Sequence, residues 1–404
     1  MKVTIFGQGY VGLTLAIGAA NSGIEVVGFD VNKELITNLS NSKTDIPGID
    51  LTKLRTLIAK RSYTPTFDFE LSQGSEILVI AVPTPLDSNR NPDLEALKNV
   101  SELIATEFKS NALVVNESTS YPGTLRNFIK PIIDGSKLAK FQFASAPERV
   151  DPGNSAWTLQ NTPRVVSGLT EESTSLAINF YSKFCDEVHR APSVEIAEAS
   201  KIFENTFRQI NIALVNEFSV IASSLGFSAY DAIQVAATKP FGFMPFYPSI
   251  GVGGHCIPVD PSYLSYVSEK VGIEAKFINL ANLTNLNMAR HVAFKVKELL
   301  GGSLKGKKIQ ILGIAYKADV SDMREAPSIR LIQELRFMNA EVIWHDPLVK
   351  EHSGEKSTEL SANIDLGLIV SPHKEIDLST WMNSNVKVFD LSPNKNSYGW
   401  PKLL

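Results

Sequence analysis

Residues 2–12 read KVTIFGQGYVG, a β-branched run followed at once by glycines at positions 7, 9 and 12. Such a run, closed by a glycine, specifies a strand buried on both faces. The first glycine makes a tight turn, the second lets phosphates approach the backbone, and the third lets the next helix pack closely on the strand. The start of that helix then offers N–H groups to an anion. A second run, EVVGFD, ends at Asp30, 23 positions after Gly7. A carboxylate there accepts hydrogen bonds from ribose hydroxyls and repels a 2′-phosphate, so the expected dinucleotide is NAD and not NADP. A glycine turn that binds nothing is the competing reading, and Asp30 is the residue that disfavours it.

The alternation continues along the chain. EILVIAV, ALVVNES, FQFASAPE and RVVSGL are further strand signals separated by helical or turn-rich segments, which implies crossovers and a parallel sheet. From Ser193 to Leu225 there is neither proline nor glycine, and apolar residues recur at Ile196, Ala199, Phe203, Phe207, Ile210, Leu214, Phe218, Ile221 and Leu225. That spacing predicts one helix, roughly 50 Å long at 1.5 Å per residue. It is long enough to connect two domains and still offer a face to another subunit. After GGSLKG the alternating pattern restarts with KKIQILGIAY, EVIWHDP, LGLIVSP and VKVFDLSP. AEVIWHDP echoes IEVVGFD, each a strand that ends in aspartate. The expected architecture is α/β, with two doubly wound Rossmann-like domains joined by a long helix and a helical middle domain. The expected boundaries are 1–192, 193–300 and 301–404.

Composition excludes several classes. A net charge of -4 over 404 residues gives no basic field for nucleic acid or an anionic membrane. Two cysteines, Cys185 and Cys256, cannot build a disulfide framework, and no Cys/His spacing suits a metal. The first ten residues do not read as a signal peptide, and no apolar run approaches the ~18 residues of a membrane span. The expected location is the cytoplasm.

Cys256 lies in GVGGHCIPVD, where glycine lets main chain approach a ligand closely. A cysteine in such a loop is either a small buried residue or a nucleophile. Six motifs occur in order: AVPTPLD (81–87), ESTSYPGT (117–124), APERVDPGN (146–154), EASKIFENTFRQINIALVNEF (198–218), GVGGHCIPVDP (251–261) and YKADVSDMREAPS (316–328). Together they resemble the nucleotide-sugar 6-dehydrogenases, which include UDP-glucose, GDP-mannose and UDP-N-acetylhexosamine dehydrogenases. The resemblance spans essentially the whole chain.

The resemblance implies oxidation of a primary alcohol at sugar carbon 6 to a carboxylate, with two NAD and one water consumed. A thiolate adds to the intermediate aldehyde, the thiohemiacetal loses the second hydride, and the thioester is hydrolysed. Cys256 matches the nucleophile, and Cys185, in YSKFCDEV, is expected to be structural. Lys201 and Asn205, four apart on one helix face, are placed beside the reacting carbon to hold a developing oxyanion. Asp260 is placed at thioester hydrolysis, and Thr119 with Glu148 at an ordered water and the carbon 6 hydroxyl, where Glu148 serves as general base. His255, next to the nucleophile, is expected to point away from it, as neighbours in an extended loop do.

Cofactor contacts are expected from Gly7, Gly9, Tyr10, Val11, Gly12, Asp30, Lys33, Pro83, Thr84, Ser118, Thr119 and Arg324. Substrate contacts are expected from Glu148, Arg149, Val150, Asp151, Lys201, Asn205, Tyr247, Gly253 and Lys317. A homodimer through the long helix is implied, with Lys239 a candidate for a residue offered to the neighbouring subunit's uridine pocket. Ser249 departs from the glycine of many relatives.

APERVDPGN and FMPFYP…GGHCIPVDP are most similar to the UDP-N-acetylglucosamine and UDP-N-acetylmannosamine branch, and the Asp151-Pro152-Gly153 turn would leave room for an acetamido group. UDP-glucose is the alternative substrate, with GDP-mannose behind it. A two-electron hydroxyacid dehydrogenase would need no nucleophilic cysteine. A non-catalytic NAD-binding protein would not keep Cys256, Lys201, Asn205 and Asp260 together.

Overall fold

The sheet that contains the glycine turn has eight strands: β1 (Lys2–Phe6), β2 (Glu25–Phe29), β3 (Tyr63–Thr66), β4 (Ile77–Ile80), β5 (Ala112–Asn116), β6 (Phe141–Ser145), β7 (Arg164–Gly168) and β8 (Val188–Arg190). In this computed structural model their order is β3-β2-β1-β4-β5-β6-β7-β8. All neighbours are parallel except β6 and β7, which pair antiparallel. β1 and β4 are the runs that read as near-continuously apolar, and their residues are buried from Val3 to Phe6 and from Ile77 to Ile80. The strand order reverses between them, which opens the ligand crevice at their carboxyl ends. The structure describes residues 1–404 apart from 47, 152, 153, 155, 375 and 394–398.

β3 and β8 were not legible as strands. β3 is YTPT, and Pro65 is tolerated because β3 is the edge of the sheet and its missing N–H faces no partner strand. β8 has three residues and no apolar alternation.

A second sheet has β9 (Lys308–Leu312), β10 (Glu341–His345), β13 (Leu366–Ile369) and β14 (Val388–Asp390), all parallel in the order β10-β9-β13-β14. A two-stranded hairpin, β11 (Glu351–His352) with β12 (Glu355–Lys356), lies between β10 and β13 in sequence. The expected echo between the two halves extends to hydrogen bonds. Gly7 N–H donates to Phe29 O at 2.9 Å, and Gly313 N–H donates to His345 O at 2.8 Å. Gln8 N–H donates to Asp30 at 2.7 Å, and Ile314 N–H to Asp346 at 2.9 Å. One strand–turn–strand device is thus built twice.

The chain divides into two compact units, Met1–Glu204 with Ser262–Ile273 and Asn205–Pro261 with Glu274–Leu404. The first holds the eight-stranded sheet and the second the four-stranded one. The long helix runs from Val194 to Leu225, 32 residues, as its uninterrupted sequence requires. Its burial inverts the usual amphipathic arrangement. Ile196, Phe203, Phe207, Leu214, Ile221 and Leu225 are exposed, while Ala197, Lys201, Gln209, Ala213, Asn216 and Ala222 are buried. The buried amides reach across to a neighbouring helix and loop: Gln209 donates to Asn282 while its Oε1 has no partner among the described residues, and Asn216 donates to Asn285 at 2.9 Å and accepts from Ser249 N–H at 2.8 Å. Among the described residues no helix is long and apolar enough to cross a membrane, and no His/Cys/Asp/Glu group could hold a metal.

Candidate active site

The glycine turn carries the features a dinucleotide needs. Gly7 has φ +89°, and a Cβ there would stand 2.5 Å from Ala81 O. A Cβ on Gly12 would fall 1.8 Å from Gly7 O, so only glycine lets the helix Tyr10–Asn21 meet the turn. Around Gly9, by contrast, nothing lies within 4 Å of that position. The helix begins without a side-chain cap and without an acidic residue in its first turn. Open space in front of an uncapped, uncharged helix start fits a pyrophosphate. Tyr10 and Val11 form its first positions. At the end of β2, the Asp30 carboxylate accepts from the N–H of Gln8 and of Asn32, at 2.7 and 2.9 Å. A carboxylate has about four acceptor sites, so two remain for ribose hydroxyls. Lys33 Nζ lies 5.5 Å from the centre of the Phe67 ring.

Sequence reasoning passed over Gln8, whose side chain is fully buried beneath the turn. Its amide donates to Ile5 O at 2.8 Å and accepts from Tyr63 O–H at 2.8 Å. Gly28 makes room for it, since a Cβ there would be 2.5 Å from Gln8 Oε1.

The remaining expected cofactor groups of the first unit lie on the loops after β4 and β5. Thr84 Oγ1 donates to Thr119 O at 2.7 Å, and Ser118 Oγ donates to Val82 O at 2.8 Å, which ties the two loops together. Tyr263 O–H donates to Thr84 O, next to the exposed Pro83.

Glu148 is part of a buried ionic group. Arg164 Nη1 donates to Glu148 at 2.8 Å and Nη2 to Glu117 at 2.9 Å, while the Tyr181 hydroxyl donates to Glu117. The guanidinium also lies 4.7 Å from the Tyr181 ring centre. The two carboxylates respond differently to their shared cation. Burial would raise both. At Glu148 the pull of Arg164, the N–H groups of Val150 and Arg149, and the charge of Lys201 outweigh burial and hold the carboxyl below its usual range. At Glu117 burial wins and pushes it up to about 7, its second oxygen having no hydrogen-bond partner. Glu148 is therefore ionised and well anchored, which makes it a weak base by itself.

Neither Glu117 nor Arg164 was picked out from the sequence. A second overlooked carboxylate, Glu198, accepts from Gly123 N–H at 2.6 Å and Leu125 N–H at 2.9 Å, and burial pushes it up to about 7. It docks the start of the long helix, with Lys201 one turn on, to the segment that follows Thr119. The quoted motifs contained both glutamates, but sequence does not reveal burial.

These raised values give a pH signature opposite to the common carboxylate case. A group whose folded pKa lies above its unfolded one contributes stability that is present below the unfolded value and lost as pH rises through the folded value. For Glu117 the window runs from 4.5 to about 7. Glu117→Gln, which cannot ionise, should therefore gain on the wild type in melting temperature between pH 5 and pH 8. A gap that stays constant across that range would sink this assignment.

Arg149 donates to Glu204 at 2.6 Å and to Pro163 O at 2.8 Å, and Val150 packs against the core. Asp151 is exposed. Residues 152 and 153 of the expected acetamido turn lie outside the described residues.

In the second unit the cysteine loop gives its glycines a packing role and corrects the expectation for His255. Its glycines approach the protein's own groups: a Cβ would meet Asn285 O at 2.7 Å from Gly251, and Tyr316 Cβ and Pro327 Cδ, both at 2.8 Å, from Gly253. A Cβ on Gly254 would likewise fall 2.8 Å from the Tyr316 ring. Packing alone requires glycine at these three positions. His255 does not point away from Cys256, since Nε2 lies 3.6 Å from Sγ. The chain bends at 254–256 and turns at 257–259, so the extended-strand rule does not apply.

Cys256 is partly exposed. Val259 and Asp260 N–H return to its carbonyl, at 3.1 and 2.8 Å, and the helix Asp260–Lys270 follows. Asp260 is buried and accepts a hydrogen bond from Asn205 Nδ2. Tyr247 packs on Tyr230, with ring centres 4.7 Å apart and the planes tilted by 33°. Lys239 Nζ lies 5.0 Å from the Phe241 ring centre. Ser249 needs no glycine conformation, because its φ is not positive and its hydroxyl donates to Gly251 O at 2.8 Å.

Arg324 is clamped by Asp322, with Nε 3.0 Å from each carboxylate oxygen. Lys317 lies in the loop whose Asp319 N–H donates to His373 Nδ1 at 2.8 Å; His373 Nε2 in turn is 3.1 Å from the buried Asp346. Cys185 is buried, as expected, and burial pushes its thiol up to about 11.

A dinucleotide crevice at a strand-order reversal, with a second strand–turn–strand sheet in the same chain, defines a two-sheet nucleotide-dependent enzyme. Comparison with known proteins narrows the class. Residues 1–185, 195–287 and 310–393 match the NAD binding, central and UDP binding domains of the UDP-glucose/GDP-mannose dehydrogenase family. The chain belongs to this family and is an NAD-dependent nucleotide-sugar dehydrogenase. It is 34% identical to a UDP-N-acetyl-D-mannosamine dehydrogenase of Pyrococcus horikoshii over 94% of this chain and 91% of the other. It is 33% identical to a UDP-N-acetyl-D-glucosamine 6-dehydrogenase of Pseudomonas aeruginosa, over 86% and 83%. A solved structure of the Pyrococcus horikoshii UDP-D-ManNAc dehydrogenase matches 99% of this chain and 98% of that one with a TM-score of 0.87.

Proposed function

We propose that this protein oxidises a UDP-N-acetylhexosamine, UDP-N-acetylglucosamine or UDP-N-acetylmannosamine, at carbon 6 to the uronic acid, through a thioester on Cys256. The observation that carries the reading is the packed turn that presents a partly exposed Cys256 beside the Asn205–Asp260 hydrogen bond. The resemblance of both named relatives to this chain over most of their length supports the choice of sugar. The product would serve surface-polysaccharide synthesis, and the enzyme would work in the cytoplasm. We keep the division into 1–192, 193–300 and 301–404 as the working domain scheme.

NAD, when bound, supplies the hydride acceptor, and two molecules serve in succession. The protein's tasks are to orient and to hold charge. Gly7, Gly9 and Gly12 admit the pyrophosphate, Asp30 takes the ribose, and Thr84, Ser118 and Thr119 shape the crevice. Ionised Glu148, too weak a base alone, orients the water that takes the first proton from the carbon 6 hydroxyl. Lys201 and Asn205 stabilise the oxyanion that develops on that carbon's oxygen. Cys256 Sγ forms the C–S bond to the aldehyde, and water later breaks it with Asp260 positioned nearby. Lys317 and Tyr247 serve the nucleotide, and Arg324 serves the cofactor.

The test is a count of NADH formed per sugar consumed with UDP-N-acetylglucosamine, UDP-N-acetylmannosamine and UDP-glucose. Two NADH with an acetamido sugar is the expected result. Two with UDP-glucose alone would transfer the assignment to that substrate, and one NADH with any sugar would remove the thioester.

We further propose a homodimer formed by the exposed stripe of the long helix. Six large apolar residues at spacings of seven and four on one face are costly to leave in water. Leu214→Glu should convert the dimer to monomer in light scattering. A wild type that is already monomeric at tens of micromolar would rule the interface out.

A further inference from the structure

His255 has no task in this scheme, yet its position beside Sγ is built by several independent contacts. The two returns from Val259 and Asp260 to the Cys256 carbonyl fix the turn on one side. On the other side Gly254 N–H donates to Arg324 O at 2.9 Å, which fastens the turn to the 316–326 segment. That segment supplies the charges. Asp322 feels the charge of His255, and Arg324 feels those of Cys256 and Tyr316. The thiol thus lies 3.6 Å from the imidazole, and the guanidinium and carboxylate of the fastened segment add their charges to that pair. Asp260, from the helix side, is occupied by Asn205.

We propose that His255 takes the proton of Cys256 and, paired with Asp322, keeps the nucleophile a thiolate, with Arg324 as a second counter-charge. The proposal rests on the reading of Cys256 as the nucleophile. In this step the S–H bond breaks, an Nε2–H bond forms and the electron pair stays on sulfur, so nothing is oxidised or reduced. Before the transfer the imidazole carries its proton on Nδ1 and accepts at Nε2, and after it both nitrogens are protonated. When water cleaves the thioester, sulfur departs as the thiolate next to the imidazolium that neutralises it. An adjacent cation or imidazolium is the usual means by which proteins lower a thiol's pKa.

The composition makes the test clean. There are only two cysteines, and Cys185 is buried with its thiol pushed up to about 11. Iodoacetamide alkylation of cofactor-free protein between pH 5.5 and 10, read on the Cys256 peptide by mass spectrometry, reports the thiolate directly. The wild-type profile should turn over below about 7.5, against about 8.5 for an ordinary thiol. His255→Ala should move that midpoint up by at least about one pH unit. Its rate at pH 7 should fall about 10-fold while the rate at pH 10 is unchanged. A change in mere access would lower both rates together. Arg324→Gln should shift the midpoint the same way by less. His255 is only partly buried, so the variant should fold, and His255→Gln replaces it if a melt shows otherwise. A His255→Ala profile that overlays the wild type overturns the proposal, as does a wild-type midpoint at 8.5 or above. Retention of two-NADH turnover by Cys256→Ala would instead overturn the nucleophile reading, and the two failures are distinguishable.

Discussion

Cys256→Ala should abolish formation of the uronic acid and lower complete oxidation by at least about 10³-fold, because removal of a covalent nucleophile costs on that order or more. The substitution deletes one sulfur from a partly exposed turn that the N–H groups of Val259 and Asp260 hold through the Cys256 carbonyl, so folding should be unaffected. NAD affinity should also be unchanged, because the proposed contacts to it do not include the sulfur. The residual activity is the informative part. Without sulfur the aldehyde has no covalent anchor, so any NADH produced should not exceed one per sugar. A variant that still formed two would mean that water attacks the aldehyde directly, and that the packed loop around Cys256 serves only structure.

A second large effect separates two glycines that sequence treats alike. Gly12→Ala would place a methyl 1.8 Å from Gly7 O, a collision between Cβ and backbone that no rotamer relieves. The helix Tyr10–Asn21 would have to leave the turn, at a cost of about 3 kcal/mol or more. Gly9→Ala meets nothing within 4 Å, and Gly9 has φ -70°, which alanine adopts freely. The Gly9 variant should therefore melt like the wild type and yet bind NAD about 10–100-fold more weakly, roughly 1.4–2.8 kcal/mol. Calorimetric titration with NAD alongside a thermal melt checks both. Wild-type affinity in Gly9→Ala would mean that the pyrophosphate does not sit at this turn.

The glycine spacing, the aspartate at the end of β2 and the proline-free run from 193 to 225 were legible because each is a local rule. A turn that needs φ +89° at Gly7, or a helix of 32 residues, depends on neighbours in sequence. The edge strand β3 was missed because its proline is permitted only by its place at the sheet's border. The burial of the long helix was not legible either. Its apolar period was correct, yet the stripe it traced is the exposed one, and the buried stripe holds amides matched across space to Asn282 and Asn285.

The sequence by itself determined the fold class, the NAD turn and the family motifs, since these rest on residue type and short spacing. Tertiary structure alone decided the charges. Arg164 reaches Glu117 and Glu148 because β7 runs antiparallel to β6 and so starts at the edge where β5 and β6 end. Against burial, Arg164 and the N–H groups of Val150 and Arg149 keep Glu148 ionised, while at Glu117 burial wins and pushes the carboxyl up to about 7. His255 meets Cys256 because the chain bends between residues 254 and 256. Electrostatic energies depend on distance through space and on the exclusion of water, and neither quantity is a property of position along a chain.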